Sequence, residues 1–148
     1  MKLRIITCGK PASWAHDAID HWYKLCRTLA DIELISVKEK PQKTLSQRVF
    51  RACTGKVVAL TRHGSALSSK QWAKMLGDIA LEGKAVTFVI GCAEGLPEDV
   101  LKGADLLVSF GPVTLQHDVA LIVLLEQIYR GLSIIRGMPY HRGNILNN

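Results

Sequence analysis

The clearest pattern along the chain is the alternation of short apolar runs with segments in which apolar residues recur at helical spacing. Residues 86–90 (VTFVI) form a continuous run of β-forming residues without polar alternation, which is typical of a strand covered on both faces of a parallel sheet. Similar runs predict a short strand ahead of residues 111–116 and further strands at residues 2–7, 32–37 and 56–60. Because strands and helices alternate, the pattern predicts an α/β fold with a mostly parallel sheet and helices on both of its faces.

Local signals place the helices between these strands. Ser13 suits a helix cap, and a short helix is expected at residues 45–52, after a loop at residues 38–43. Ser68 and Gln71 match a capping box at the start of a third helix. The buried stripes are expected at Trp14, Ala18, Trp22, Leu25 and Leu29 in the first helix and at Trp72, Met75, Leu76 and Ile79 in the third.

Seven consecutive apolar residues, 119–125, open the last helix. A helix without a polar side must be buried all round, and this run is far too short to cross a membrane. In a chain of this size the expected covering surface is a second copy, so the pattern predicts a homodimer. Glu126 and Arg130 follow on one helix face, and their spacing alone fits a structural ion pair as well as a functional one.

Three loops, at residues 61–67, 91–95 and 111–116, each follow a strand. Ligands of α/β proteins bind at the carboxyl ends of the strands, so these loops predict a pocket at one edge of the sheet. Gly91 and Gly95 are weak evidence by themselves, since a tight turn needs glycine for structural reasons alone. Their spacing matches neither the Rossmann nor the P-loop pattern.

A short non-helical tail follows the last helix. Gly137 suits the residue that ends a helix, and Pro139 prevents its continuation. Beyond them stand an aromatic ring, an imidazole and a guanidinium, at Tyr140, His141 and Arg142. We expect these side chains to be available for a ligand, because the segment is too short to build a core of its own.

Composition narrows the class of protein. A length of 148 residues predicts a single domain, and nothing at the start of the chain resembles a targeting signal, so the expected location is the cytoplasm. The four cysteines lack metal-ligand or disulfide spacing, so we expect reduced thiols and no metal. The net charge of +6 favours a polyanionic partner. Much of it lies in one segment, at Lys38, Lys40, Lys43, Arg48, Arg51, Lys56 and Arg62.

The spaced motif at the end of the chain resembles a known family. Thr114-Leu115-x-His117, then Glu126-Gln127-x-Tyr129-Arg130, then Gly-x-Pro-Tyr-His at residues 137–141, is similar to the signature of the ribosomal RNA large subunit methyltransferase H family, a group of SPOUT-class enzymes. The family's usual Ile-Gly-Gly-Pro-Glu-Gly stands here as Ile-Gly-Cys-Ala-Glu-Gly at residues 90–95. The resemblance covers the whole length.

That resemblance implies a fold and an activity. The fold is a SPOUT-type α/β domain with a C-terminal trefoil knot, which no periodicity in the sequence reveals. The activity is transfer of a methyl group from S-adenosyl-L-methionine to ring nitrogen 3 of a pseudouridine in 23S large-subunit ribosomal RNA. The implied partners are ribosomal RNA in the large subunit or the assembled ribosome, without membrane or metal.

Carried over residue by residue, the resemblance also implies the site. The cofactor contacts fall on Leu60, on Gly91, Cys92 and Gly95, and on Gly111, Pro112, Val113, Thr114, Leu115 and Gln116. Among the candidate catalytic residues, His141 is the best candidate for the general base by its titration range, and which group removes the proton stays open. Tyr140 can stack on the target base, Arg142 or Arg130 can hold a phosphate, and Glu126 completes the set.

The chain departs from the family pattern at four positions. The second loop glycine is Cys92, the following proline is Ala93, the proline before the histidine is Gln116, and the arginine four residues after that histidine is Leu121. Two alternatives therefore stay open: a catalytically weakened relative that still binds the ribosome, and a basic α/β module that binds another nucleotide.

Overall fold

The sheet consists of parallel strands in the order β2-β1-β4-β3-β5. The computed structural model describes residues 1–92 and 94–142. The strands in this part of the chain are β1 (Lys2–Cys8), β2 (Asp31–Val37), β3 (Lys56–Ala66), β4 (Val86–Ile90) and β5 (Leu106–Ser109). The helices are α1 (His16–Arg27), α2 (Leu45–Ala52), α3 (Ser69–Leu81), α4 (Glu98–Gly103) and α5 (His117–Ile135). The predicted α/β class and parallel sheet are confirmed.

Helices cover both faces of the sheet, as predicted. One core joins Ile5 and Phe88 of the sheet to α1, α3 and α5. The other joins Ile6 and Val89 to α2 and α4. The central strand β4 pairs with β1 on one side and β3 on the other, and all five of its residues are buried. Its continuous apolar run reflects this position.

The start of α1 differs from the prediction. Ser13 makes no capping hydrogen bond; it begins a short 3-10 turn, Ser13–Ala15, and α1 starts only at His16. Because of this turn, Trp14, which the predicted stripe includes, is 61% exposed, whereas the next residue, Ala15, is buried. The capping box of α3 is confirmed, with Gln71 N donating to Ser68 Oγ and Ser68 N donating to Gln71 Oε1.

Strand β3 is longer than predicted. The expected loop at residues 61–67 is largely strand, because Ser65 and Ala66 pair with Val108 and Ser109 of β5. Leu60 also pairs with Val108, so the residues between Leu60 and Ser65 bulge away from the regular ladder. A Cβ at Gly64 would lie 2.5 Å from the backbone nitrogen of Val108, which explains why this residue lacks a side chain.

Helix α5 lies between α1 and α3. The Cys26 thiol on α1 donates to Leu125 O, and Gly131 permits close contact with Leu76 of α3. Within one chain α5 is not buried all round: Val119, Ile122 and Val123 are only half-buried. No helix in the described part of the chain is long and apolar enough to cross a membrane.

Candidate active site

A cavity of about 650 Å³ opens at the carboxyl ends of β3, β4 and β5. Three chain segments line it: the bulge after Leu60, the turn after β4 and the loop before α5. Of the predicted cofactor residues, those that line the cavity are Leu60, Gly91, Cys92, Gly95, Val113, Thr114, Leu115 and Gln116. Gly111 and Pro112 belong to the same loop but are not among the lining residues. The cavity lies where the rule for parallel sheets places a ligand.

The turn after β4 is tightly closed. Gly95 N donates to Cys92 O at 2.8 Å, and Gly95 has a positive φ of 84°, which favours glycine. A Cβ at Gly91 would lie 2.7 Å from both Gly95 C and Leu96 N. Gly91 is therefore required so that the strand end and the returning turn can lie side by side. Ala93, where the family has proline, lies outside the described residues.

The loop before α5 ends in a helix cap that the sequence did not predict. Gln116 Oε1 accepts hydrogen bonds from Asp118 N at 2.8 Å and Val119 N at 3.1 Å, so α5 begins at His117 and not at Val119. Gln116 thus satisfies two of the free N–H groups at the helix start while facing the cavity. Leu121, where the family has arginine, is completely buried in the core and offers no polar group.

A histidine–aspartate pair lies beside the cavity. His117 lines it, and His117 Nδ1 lies 2.9 Å from Asp118 Oδ1, which can only accept, so this nitrogen carries the proton. Asp118 Oδ2 accepts from Ala12 N at 3.1 Å, which ties α5 to the loop after β1. Burial raises the pKa of the Asp118 carboxyl, but the hydrogen bonds from His117 and Ala12 outweigh it and the pKa is lowered.

Several lining residues lie within the predicted loops or the spaced motif but were not singled out as site residues. Arg62, His63, Glu94 and His117 all line the cavity. Arg62 and His63 lie in the bulge of β3, within the segment 61–67 that the sequence places at the ligand edge of the sheet. His117 is part of the Thr114-Leu115-x-His117 motif, but only the residues before it were assigned to the cofactor.

The candidate catalytic residues gather in a second place, at the far half of α5. Glu126 Oε1 accepts from Tyr140 Oη at 2.9 Å and from Arg130 at 2.6 and 3.0 Å. The Arg130 guanidinium also lies 4.6 Å from the centre of the Tyr140 ring, which contacts Tyr129 edge to face. The tail side chains were expected to be available for a ligand, but Tyr140 and His141 are docked on the protein. Of the three tail residues at positions 140–142, only Arg142 is exposed.

This docking changes what the tail can do chemically. Arg130 Nη1 lies 3.1 Å from His141 Nδ1, and a guanidinium can only donate, so Nδ1 accepts and the proton of the ring sits on Nε2. In this arrangement His141 has no free lone pair with which to take up a proton. Burial and the hydrogen bond to the Glu126 carboxylate raise the pKa of Tyr140 to about 12, so its hydroxyl stays a donor at neutral pH.

The cavity and the tail cluster (Glu126, Arg130, Tyr140 and His141) do not meet within one chain. His117 at the cavity and Arg130 in the cluster are thirteen residues apart on the same helix. A helix rises 1.5 Å per residue, so these two residues are about 20 Å apart along its axis, and the nearest pair, Ala120 at the cavity and Glu126 in the cluster, is about 9 Å apart. A single chain therefore holds the two halves of the candidate site apart.

The basic segment is exposed for the most part. Lys38, Lys40, Lys43 and Arg51 face solvent, whereas Arg48 has a structural role. Its guanidinium donates to the carbonyl oxygens of Lys38 and Pro41 and to Thr44 Oγ1. The exposed cations are suited to an extended polyanion. Within the described residues there is no cluster of three or more His, Cys, Asp or Glu side chains that could hold a metal ion.

The fold has known relatives among solved structures. A probable methylase family protein from Haemophilus influenzae superposes with a TM-score of 0.58 at 12% sequence identity, covering 95% of this chain and 70% of that one. A probable methyltransferase from Bordetella pertussis gives a TM-score of 0.54 at 14% identity, covering 88% and 93%. At these identities the likeness shows the fold alone.

Comparison of sequences identifies the family, which the likeness of fold does not. A family model described as "Predicted SPOUT methyltransferase" matches residues 1–141. The chain is thus a methyltransferase of the SPOUT class, and it is an enzyme.

Curated relatives narrow the class further. The ribosomal RNA large subunit methyltransferase H of Thermus thermophilus is 38% identical over 96% of this chain and 99% of that protein. Proteins of the same name from Alkaliphilus oremlandii and Enterococcus faecalis are 35% and 32% identical, each over 96% of this chain and all of that protein. This chain belongs to the ribosomal RNA large subunit methyltransferase H family.

Proposed function

We propose that the protein transfers a methyl group from S-adenosyl-L-methionine to ring nitrogen 3 of a pseudouridine in large-subunit ribosomal RNA. The observation that carries the proposal is the cavity at the carboxyl ends of β3, β4 and β5, lined by most of the residues that the family resemblance assigns to the cofactor. The exposed cations and the net charge of +6 support an RNA substrate. The proposed setting is the cytoplasm, where ribosomes are.

The cavity suits this cofactor in size and chemistry. Its volume lies within the usual range for small-molecule sites. Leu60, Ile90, Leu96, Val108 and Leu115 provide apolar walls for an adenine ring. A Cβ at Gly95 would meet no atom within 4 Å, so the turn presents bare backbone there. When bound, the cofactor supplies an electrophilic methyl group on a sulfonium.

The protein contributes alignment and exclusion of water. Opposite charges disappear as a methyl leaves a sulfonium for a deprotonated ring nitrogen, so a dry, closely fitting site favours the reaction. The glycine turn and the loop before α5 would enclose the methyl donor, and the Tyr140–Arg142 tail would orient the RNA. His141 gains a free lone pair for the substrate proton only if RNA binding separates it from Arg130.

We propose a homodimer built on one face of α5. Val119, Ile122 and Val123 form a half-buried apolar stripe that continues along the same helix face to Glu126 and Arg130. A two-fold axis across this stripe would make the two α5 helices run in opposite directions. The tail cluster of one chain would then lie beside the cavity of the other. The dimer would complete a site that a single chain holds in two parts.

We expect twice the chain mass in sedimentation at micromolar concentration. Ile122→Glu should shift the equilibrium to monomer, because it places a charge in the middle of the stripe. Leu81→Glu is the matched control: Leu81 is 88% exposed at the end of α3, so its change should leave the dimer intact. A wild-type protein that sediments as a monomer would contradict the interface.

The trefoil knot of the SPOUT class belongs to the same proposal. Its support is the family to which the chain belongs; the packing of α5 between α1 and α3 is compatible with it.

Mass spectrometry of ribosomal RNA tests the function directly. Large-subunit RNA from cells that lack the protein should lose one methyl group from a pseudouridine, and wild-type protein added in vitro with S-adenosylmethionine should restore it. If the RNA of the two strains carries the same methyl groups, the protein is a binding relative without this activity.

A further inference from the structure

We propose that Arg62 holds a phosphate of the RNA strand at the mouth of the cavity. This inference rests on the proposed function and adds a residue that neither the family motif nor the tail supplies. Arg62 would act as a positioning residue: it would hold the nucleotides that flank the target, so that the reacting ring enters the cavity in one orientation.

The position of Arg62 is determined by the bulge in β3. Leu60 on one side and Ser65 on the other both pair with Val108 of β5, and in the bulge between them Thr61, Arg62 and His63 line the cavity. Gly64 lies directly against the backbone of β5, where no side chain fits. The bulge is therefore anchored at both ends, which keeps the Arg62 backbone close to the cavity rim.

The guanidinium of Arg62 is largely free to bind a ligand. Its nearest polar contacts are Thr114 Oγ1 at 3.5 Å and His63 Nε2 at 3.4 Å, both at the long limit for hydrogen bonds. No carboxylate lies within salt-bridge distance of it among the described residues. Most of its five donors are consequently unused.

Arg62 provides a positive charge at the cavity rim, and Glu94 is the carboxylate among the described residues that line the same cavity. Arg62 is the only lysine or arginine among the described residues that line it. The first turns of α5 contain no lysine or arginine, and Leu121, where the family has arginine, is an apolar residue buried in the core. A guanidinium binds phosphate oxygens in a bidentate manner, which gives direction as well as attraction.

The exposure of Arg62 indicates which of two anionic groups it binds. The cofactor carries a carboxylate and the RNA carries phosphates, and both fit a guanidinium. Arg62 is exposed at the rim, whereas an enclosed cofactor would contact the walls and floor of the cavity. A ligand that approaches from solvent is therefore the better match.

The test compares Arg62→Ala and Arg62→Lys with Lys84→Ala, which removes one exposed charge at the opposite edge of the sheet, before β4. The probes are ribosomes from cells lacking the protein, S-adenosylhomocysteine, and 5′-methylthioadenosine, which has no carboxylate. Arg62→Ala should weaken ribosome binding about tenfold, equivalent to one charge-assisted hydrogen bond. It should also lower the slope of log affinity against log salt by about one. Arg62→Lys should retain the slope with partial affinity, and Lys84→Ala should change neither.

The cofactor probes separate the outcomes. We expect unchanged calorimetric affinity of Arg62→Ala for both small molecules. Weaker binding of S-adenosylhomocysteine alone would assign Arg62 to the cofactor carboxylate and overturn the inference, as would unchanged ribosome binding. If the wild-type protein bound neither ribosomes nor S-adenosylhomocysteine, the proposed function itself would fail, and the inference with it.

Discussion

Replacing Gly91 with alanine should abolish binding of S-adenosylmethionine while the protein stays folded. The added Cβ would lie 2.7 Å from Gly95 C and Leu96 N, both of them backbone atoms that cannot rotate away. The turn after β4 would have to move as a whole, and it forms one wall of the cavity. We expect a loss of affinity of about a hundredfold or more in calorimetry, since a displaced turn removes several contacts at once. The far-ultraviolet circular dichroism should remain close to that of the wild type.

The control separates the shape of the turn from general loss of stability. Gly83 has a positive φ of 70° and open space around its Cα, in the turn between α3 and β4 at the other edge of the sheet. Gly83→Ala should cost about 1 kcal/mol of strain without affecting the ligand. If Gly91→Ala bound the cofactor as tightly as Gly83→Ala, the ligand would lie elsewhere.

The sequence predicts much of the fold because the sheet and its helices follow local rules. The continuous run of β4 indicates burial on both faces, and the capping box of α3 places a helix start to the residue. The errors occur where tertiary contacts override local signals. Residues 61–66 carry no strong strand pattern, yet all of them belong to β3, because its last two residues pair with β5. Trp14 is apolar but exposed, since a 3-10 turn precedes α1.

The site was predictable to a similar degree. The rule that ligands bind at the carboxyl ends of parallel strands correctly placed the loops that now line the cavity. The segment 61–67 that it placed at the pocket contains Arg62 and His63, which line the cavity although neither was singled out. No sequence pattern could show that Tyr140 and His141 dock on Glu126 and Arg130, because that contact depends on how the chain folds back after Pro139. Nor could spacing reveal that this cluster lies far from the cavity of its own chain.

That separation leads to the prediction with the sharpest outcome: two inactive variants should restore activity when they share a dimer. One variant is Gly91→Ala, with a defective cavity and an intact tail. The other carries His141→Ala and Arg142→Ala, with an intact cavity and a tail that keeps its Tyr140 contact with Glu126. Each alone should lose at least about a hundredfold in methylation rate.

A mixed dimer pairs the intact cavity of one chain with the intact tail of the other, so it contains one complete site. Random pairing makes half of the dimers mixed, and co-expression should therefore recover about one quarter of the wild-type rate. The matched control co-expresses Gly91→Ala with a chain that carries all three changes; no dimer then contains a complete site, and no activity should return. If each chain used its own tail, the first mixture would stay as inactive as the control. Recovery in the first mixture alone would mean that the cavity of one chain acts together with the tail cluster of the other, across the dimer.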